Sequence, residues 1–242
     1  MRGSLAAIVL LMLPGFAAGQ PAAAGTDANG AVRLFHDVAL DYKNFLSVEN
    51  AEILGLGGAA AGGIHAIDHP VSDWVVETNP STLTGGYEYG SQLLQIPAAI
   101  AWWAIASAAG SSRHADAGRD LLRAQLSAVS WTYAIKLATD RTRPNGDPHG
   151  FPSGHASTSF ATAMVLQEHY GWKLGLPGFL MATYTAASRI GANEHWMSDV
   201  VFGAAVGMAS GRTATLHVRT TRVAIAPLAV PGGGGVVVTA LR

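Results

Sequence analysis

The chain of 242 residues contains no cysteine. This excludes disulfide bonds, thiol nucleophiles and zinc sites with cysteine ligands. The chain also carries little charge, because Asp, Glu, Lys and Arg together make up only 13% of it, against about a quarter in typical soluble domains. The formal net charge of −1 gives no indication of nucleic acid or an anionic membrane surface as a partner.

Long hydrophobic runs are rare as well. The longest internal stretch without Asp, Glu, Lys or Arg is residues 89–112, which is long enough to span a bilayer. That stretch contains Gln92, Gln95 and Pro97, so a buried core helix also fits it. We therefore predict a helical bundle that is soluble or peripheral to a membrane, with a multi-pass membrane bundle as the alternative.

The N-terminus has the features of a secretory signal peptide. Arg2 precedes an apolar run at residues 5–13, and small residues follow it. This order predicts cleavage after Gly19 or Ala24, so residues 1–24 are assigned to a signal peptide and linker. The predicted location is outside the cytoplasm, in the periplasm of a Gram-negative source. The alternatives are a retained N-terminal anchor and an integral inner-membrane protein whose active site faces the periplasm.

The rest of the chain is predicted to be all-α. Apolar residues recur at helical spacing through residues 32–215, and long β-branched runs are absent. We assign residues 25–216 to one helical domain. Predicted helices cover 32–47, 50–67, 70–77, 89–110, 115–141, 155–170, 173–189 and 195–215. In the tail, residues 217–242, two short apolar runs flank "PGGGG", which predicts a β-hairpin, or alternatively a frayed tail.

A first motif, "KLATDRTRP", places two cations seven residues apart. At about 100° per residue, Lys136 and Arg143 would lie on one helix face, and Pro144 is expected to end that helix near Arg143. The guanidinium fork matches phosphate oxygens and the ammonium supplies a point charge. The other interpretation of this motif is a solvated basic face.

A second motif, "FPSGHASTSFATA", predicts a helix start that binds an anion. Ser153 is a good N-cap, and a helix beginning near Gly154 leaves its first amides free. Free amides at the positive end of the helix dipole attract an anion. His155 lies in that first turn, where it would face the anion. The alternative is a helix start with an incidental histidine.

A third motif, "SRIGANEHWMSD", pairs a histidine with an aspartate. His195 and Asp199 are four residues apart and share a helix face. An aspartate bonded to one ring nitrogen fixes the tautomer and leaves the other nitrogen free as a nucleophile. Arg189 lies six residues upstream, across Gly191. The alternative is a capped helix start with a chance His–Asp pair.

Taken in this order, the three motifs resemble the signature of the type 2 phosphatidic acid phosphatase superfamily. That superfamily also includes bacterial class A acid phosphatases and vanadate haloperoxidases. The resemblance covers residues 136–199 directly. The matching positions are Lys136, Arg143, Pro144, Pro152, Ser153, Gly154, His155, Ser188, Arg189, His195 and Asp199. Seven residues separate Pro144 from Pro152, fewer than in the class A acid phosphatases, so elements that shape the substrate site are expected to be reduced there.

The resemblance implies a bundle with both histidines facing one phosphate pocket, and a metal-independent phosphatase. His195 would attack phosphorus and form a phosphohistidine, Asp199 would orient it, and His155 would act as general acid and base. The phosphate-binding set would be Lys136, Arg143, Ser153, Gly154 and Arg189. The implied substrate is a phosphate monoester, or a lipid phosphate or diphosphate. No metal, cofactor or nucleic acid is implied, and membrane association and oligomeric state are left open.

Two other functions are compatible with these motifs. One is a vanadate-dependent haloperoxidase, although members of that family are typically much longer. The other is a non-enzymatic phosphate-binding protein, which would not need an intact His–Asp pair and a second histidine. Phosphatase activity is therefore the preferred hypothesis.

Several further polar residues are less informative. His65 and His69 have a spacing that can bind zinc, but no third ligand is evident, and a helix-end pair is the preferred interpretation. Asp147 and His149 are expected near the pocket mouth. Glu194 is adjacent to His195 in sequence but is predicted to point off its face.

Overall fold

The computed structural model describes residues 28–78, 85–218, 222–230 and 233–241. The predicted signal peptide, residues 1–24, lies outside the described residues. The described part of the chain contains nine α-helices and one two-stranded sheet. The helices are α1 (Ala28–Phe45), α2 (Val48–Ile64), α3 (Asp68–Thr78), α4 (Gly85–Gly90), α5 (Gln92–Ala108), α6 (Ser112–Thr139), α7 (Gly154–Tyr170), α8 (Trp172–Gly191) and α9 (Met197–Ala214).

The predicted all-α bundle is confirmed. A short 3-10 turn, His65–Ile67, connects α2 to α3. The strands β1 (Arg222–Val230) and β2 (Gly233–Leu241) pair antiparallel, where the sequence predicts two strands around a turn. The domain boundaries at residues 24 and 216 stay a prediction.

One predicted helix, 89–110, is interrupted in the structure. Its first residues belong to α4, and Ser91 then caps α5 by accepting a hydrogen bond from the amide of Leu93 at 3.2 Å. Helix α5 ends at Ala108 and is 17 residues long, with Pro97 inside it. Among the helices of the described residues, none combines the length and the apolar character needed to cross a bilayer.

Glycines allow α9 to pack closely against α7. The four-residue spacing of Gly203, Gly207 and Gly211 predicts this contact. A Cβ atom at Gly203 would lie only 2.6 Å from the carbonyl oxygen of Ser153, and one at Gly211 would lie 2.7 Å from that of Ala161. Close packing therefore brings the first turn of α7, which carries His155, and the start of α9, which His195 precedes by two residues, to the same corner of the bundle.

The loop between α6 and α7 corrects one prediction. Helix α6 ends at Thr139 because Asp140 adopts a left-handed conformation, with φ 41° and ψ 41°. Arg143 is therefore outside the helix, and the prediction that it shares a helix face with Lys136 was wrong. The loop folds back on itself, since the amide of Gly150 donates to the carbonyl of Arg141 at 2.6 Å. Because the loop turns back toward α6, Arg143 lines the same pocket as Lys136 although it lies outside the helix.

Candidate active site

A pocket of about 410 Å³ is lined by residues of α4, α5, α6, α7 and α8 and of the loops that precede α7 and α9. It brings together six of the eight residues that the motifs nominate: Lys136, Arg143, Gly154, His155, Arg189 and His195. The other two, Ser153 and Asp199, are fully buried behind its wall. Motif residues that are up to 59 positions apart in sequence, Lys136 and His195, thus line one concave surface.

His195 and Asp199 form the pair that their spacing predicts. Nδ1 of His195 lies 3.4 Å from Oδ2 of Asp199, and both side chains are buried. The same carboxylate oxygen accepts a hydrogen bond from the amide of Trp196 at 3.0 Å. Burial lowers the pKa of His195 to about 4, with a further contribution from Lys136, although the hydrogen bond to Asp199 opposes this shift. His195 is therefore neutral at pH 7, as a nucleophile must be.

His155 lies in the first turn of α7. Ser153 caps this helix by accepting a hydrogen bond from the amide of Ala156 at 3.4 Å, so the predicted N-cap is confirmed. The ring of Tyr87 packs on His155 with a centroid distance of 5.0 Å. Burial, with the nearby cations headed by Arg189, lowers the pKa of His155 to about 3. The imidazole of His155 is therefore neutral at pH 7 in the absence of a bound anion.

Two arginines form one side of the pocket. Arg189 is buried, and its guanidinium carbon lies 5.0 Å from the ring centroid of Tyr87. Nη1 of Arg143 donates to Oε2 of Glu194 at 2.7 Å, and Nη2 of Arg189 lies 3.6 Å from the same oxygen. Glu194 is predicted to point off the face of His195, yet it lines the same pocket. Asn193 has a positive φ of 59°, which turns the backbone just before Glu194 and directs its carboxylate into the pocket.

Lys136 reaches the pocket from the last turn of α6. Its Nζ donates to the carbonyl oxygens of His149 and Gly150, at 2.5 and 3.3 Å. Burial, with the charge of Arg143, lowers the pKa of Lys136 to about 8. The ammonium therefore ties the returning loop to α6 while it contributes positive charge to the pocket.

Three buried nitrogens on this pocket have no hydrogen-bond partner in the described part of the chain. They are Nε2 of His155, Nε of Arg143 and Nε of Arg189. A buried polar group without a partner costs about 1–3 kcal/mol, so native structures rarely leave one unpaired. Three such groups on one pocket indicate a ligand with several acceptor oxygens and negative charge.

Four other polar residues that the sequence singles out, Asp147, His149, His65 and His69, have the following positions and contacts. Asp147 lines the pocket, whereas His149 Nδ1 lies 2.9 Å from the carboxylate of Asp140. His65 Nδ1 lies 3.0 Å from Oδ2 of Asp68, and His69 packs against the ring of Trp196. Within the described ranges, no group of three or more His, Asp or Glu side chains is arranged to hold a metal ion.

Sequence reasoning missed Arg141 and Asp68. Arg141 donates to Oδ1 of Asp199 at 2.6 Å and to Oδ2 of Asp68 at 2.7 Å. A third cation within "KLATDRTRP" was a signal that could have drawn attention to Arg141. Nothing in the local sequence around Asp68 indicates its contact with a residue 73 positions away.

Comparisons with known proteins relate part of the chain to a phosphatase family. The family model described as the PAP2 superfamily matches residues 117–222. A lipid A 1-phosphatase from Porphyromonas gingivalis is 42% identical over 82 residues, which is 32% of this chain and 18% of that protein. A lipid A 4'-phosphatase from Helicobacter pylori is 39% identical over 57 residues, which is 24% of this chain and 29% of that protein. The matches thus span less than a third of either relative.

Two solved structures share the fold. The crystal structure of a transmembrane PAP2 type phosphatidylglycerolphosphate phosphatase from Bacillus subtilis has a TM-score of 0.60 at 17% identity, and the match covers 70% of this chain and 94% of that one. The crystal structure of Aquifex aeolicus LpxE has a TM-score of 0.54 at 19% identity, with 62% and 95% covered. At these identities the similarity shows the fold.

Proposed function

Because the PAP2 superfamily model matches residues 117–222, we propose that the chain is a phosphatase of that superfamily that hydrolyses phosphate monoesters, lipid phosphates or lipid diphosphates without a metal ion. One observation carries this proposal: the unpaired nitrogens of His155, Arg143 and Arg189 share a pocket with the buried nucleophile candidate His195. The pocket combines nitrogens that lack a hydrogen-bond acceptor, positive charge and a neutral imidazole. Phosphoryl transfer requires such donors and charge to stabilise the phosphoryl oxygens, and a neutral imidazole can act as the nucleophile.

In the proposed first step, Nε2 of His195 attacks phosphorus. The P–N bond forms as the bond from phosphorus to the leaving oxygen breaks, and protonated His155 gives its proton to that oxygen. Asp199 accepts the Nδ1 proton in a hydrogen bond and stabilises the positive charge that develops on the ring. Arg143, Arg189 and the ammonium of Lys136 stabilise the charge on the phosphoryl oxygens.

In the second step, His155 takes a proton from water. The resulting hydroxide attacks phosphorus, the P–N bond breaks, and inorganic phosphate leaves with His195 neutral again. His155 needs a proton for the first step, although burial and the neighbouring cations lower its pKa to about 3. A bound phosphoryl dianion opposes the effect of these cations, so we expect His155 to take up its proton together with the substrate.

The pocket mouth favours a lipid phosphate over a soluble ester. Leu93 and Tyr133 both line the pocket, and they are 83% and 50% exposed. Leu137, one helical turn beyond Tyr133, is 71% exposed. Exposed apolar side chains around a cationic pocket suit a substrate with a charged head and an apolar tail. The relatives named as lipid A phosphatases and as a phosphatidylglycerolphosphate phosphatase support this substrate class.

Substitution of Leu93 tests the substrate class. Leu93→Asn is expected to reduce hydrolysis of phosphatidate in mixed micelles while hydrolysis of p-nitrophenyl phosphate is retained. The matched control is Leu180→Asn on α8, since Leu180 is 62% exposed but does not line the pocket. Equal losses on both substrates would contradict the assignment of Leu93 to the lipid tail.

We propose that the active site works outside the cytoplasm, at the membrane surface. The signal-like N-terminus and the lipid-facing pocket mouth support this location. Release by osmotic shock of a protein that starts near Gln20 or Gly25 would agree with export and cleavage. Retention through carbonate washing with Met1 uncut would instead favour an integral membrane protein.

Substitution of the nucleophile tests the activity itself. His195→Ala is expected to lower kcat more than about a hundredfold, equivalent to about 2.7 kcal/mol, in a protein with unchanged thermal unfolding. Asp199→Asn is expected to lower kcat strongly because the tautomer of His195 is no longer fixed. The substrates are p-nitrophenyl phosphate, phosphatidate, phosphatidylglycerol phosphate and an isoprenyl diphosphate. A folded His195→Ala protein that keeps more than a hundredth of the wild-type rate would refute the mechanism.

A further inference from the structure

We propose that Arg141 and Asp68 are positioning residues for the nucleophile, acting through Asp199. This inference rests on the proposed function. Asp199 is fully buried, and its two oxygens have different partners. Oδ2 lies against Nδ1 of His195, whereas Oδ1 accepts a hydrogen bond from Nη1 of Arg141 at 2.6 Å. The guanidinium on Oδ1 and the amide of Trp196, which donates to Oδ2 at 3.0 Å, together fix which oxygen of Asp199 faces the histidine.

Asp68 holds the other branch of the same guanidinium. Nη2 of Arg141 donates to Oδ2 of Asp68 at 2.7 Å, and His65 Nδ1 lies 3.0 Å from that oxygen. One guanidinium thus bridges two buried carboxylates, which would repel each other without it. The bridge joins three parts of the chain: α3, the loop after α6 and α9.

Asp68 is also fixed to the start of α9. Its Oδ1 accepts the amide of Ser198 at 2.9 Å, and its Oδ2 accepts the hydroxyl of Ser198 at 2.5 Å. Arg141 donates to that hydroxyl oxygen at 2.7 Å. Asp68, Arg141 and Ser198 therefore form a closed set of hydrogen bonds directly behind Asp199. Asp68 lies outside the region that the family model matches.

The energetic consequence concerns the proton on His195. A carboxylate held in one orientation favours the tautomer with the proton on Nδ1 and the lone pair on Nε2. In Arg141→Gln, Asp199 would lose the charged donor that fixes its Oδ1. In Asp68→Asn, Arg141 would lose the carboxylate that anchors its guanidinium beside Asp199. His195 would then spend time in the tautomer that cannot attack phosphorus.

The test compares this bridge with a second buried bridge elsewhere in the bundle. Arg123 donates to both oxygens of Asp41, at 2.6 and 2.8 Å, and to Asp120 at 2.9 Å. None of these three residues lines the pocket. Asp41→Asn is therefore a matched control for Asp68→Asn, because each removes one buried carboxylate charge from a guanidinium that bridges two carboxylates.

We expect Asp68→Asn and Arg141→Gln to lower kcat on p-nitrophenyl phosphate by about tenfold or more, while the inhibition constant of inorganic phosphate changes by less than about twofold. Arg141→Lys, which keeps the charge, should recover part of that loss. Asp41→Asn should lower the melting temperature but leave kcat within about twofold of wild type. A purely structural role for Asp68 would give the same result for both Asp→Asn variants.

A measurement independent of activity distinguishes failure of this inference from failure of the proposed function. In ¹⁵N-histidine NMR spectra, the signal of His195 is assigned by its absence in His195→Ala. We expect the wild-type protein to carry the proton on Nδ1 alone, and folded Arg141→Gln to show a mixture of tautomers. A folded Arg141→Gln protein with a single, unchanged tautomer would overturn the inference, whether or not the wild type hydrolyses phosphate esters.

Discussion

Oε2 of Glu194 lies 2.7 Å from Nη1 of Arg143 and 3.6 Å from Nη2 of Arg189. A carboxylate oxygen thus occupies the space between the two arginines that are proposed to hold the phosphoryl oxygens. Glu194 and the substrate therefore compete for the same donors. The partly exposed position of this ion pair limits its strength to about 0.2–1 kcal/mol, so a dianionic phosphoryl group can displace it.

Glu194→Gln should consequently strengthen phosphate binding. The amide removes the negative charge but keeps the size of the side chain, so the inhibition constant of inorganic phosphate is expected to fall about two- to fivefold, in line with an ion pair of this strength. Asp147→Asn is the matched control, because Asp147 also lines the pocket but its carboxylate bonds Asn145 and not Arg143. Weaker phosphate binding in Glu194→Gln would contradict the competition.

The contrast between Glu194 and Asp199 explains how far the sequence predicts this site. The His195–Asp199 pair and the Ser153 cap join residues three or four positions apart at the start of a helix, so local spacing predicts them, although α9 begins at Met197 and His195 lies just before it. The direction of Glu194 depends on the positive φ of Asn193, which periodicity cannot reveal. The contact of Arg141 with Asp68 joins residues 73 positions apart, and only the packing of α3 beside α9 creates it.

Arg143 lines the same pocket as Lys136, as the sequence predicts. The reason given for that prediction, a shared helix face, was wrong. A helix running to Arg143 would place it in line with Lys136, but the left-handed Asp140 ends α6 at Thr139. The overall bundle was predictable because apolar periodicity marks its long helices. The short helix α4 was not, since its glycines are typical of turns, and its position depends on close packing of Gly86 against α8.

The lowered pKa of Lys136 predicts an alkaline limit to activity. Burial, with the charge of Arg143, lowers this pKa to about 8, so the ammonium loses its proton as the pH rises through 8. We expect kcat/KM to fall above that pH because one positive charge leaves the phosphate pocket. In Lys136→Arg the guanidinium stays charged, so the decline should move to higher pH or disappear. An identical alkaline decline in a folded, active Lys136→Arg protein would exclude Lys136 as its source.

The lowered pKa values of His155 and His195 predict a loss of stability in acid. Burial is the first cause of both shifts, which bring the pKa to about 3 and about 4. In the unfolded chain both would titrate near 6.5, so the unfolded state binds more protons than the folded state between about pH 6.5 and pH 4. The free energy of unfolding should therefore decrease as the pH falls through this window.

Thermal unfolding between pH 7 and pH 4.5 measures that decrease. The double variant His155→Asn, His195→Asn should show a flatter dependence of the melting temperature on pH, because neither asparagine can take up a proton. His36→Asn is the matched control, since His36 is largely exposed at its side chain. A double variant with the same slope as wild type would show that other groups control the acid limit.

The cationic pocket predicts that activity does not depend on a divalent ion. Lys136, Arg143 and Arg189 supply the positive charge that Mg²⁺ provides in many phosphoryl-transfer enzymes, so hydrolysis of p-nitrophenyl phosphate should survive prolonged treatment with EDTA. Orthovanadate should inhibit competitively, because a five-coordinate adduct on Nε2 of His195 resembles the transition state. His195→Ala should bind vanadate much more weakly, whereas Asp41→Asn should bind it normally. Loss of activity with EDTA that is restored by Mg²⁺ or Zn²⁺ would refute the metal-free mechanism. Oxidation of halide by the vanadate-loaded protein in the presence of peroxide would instead favour a haloperoxidase.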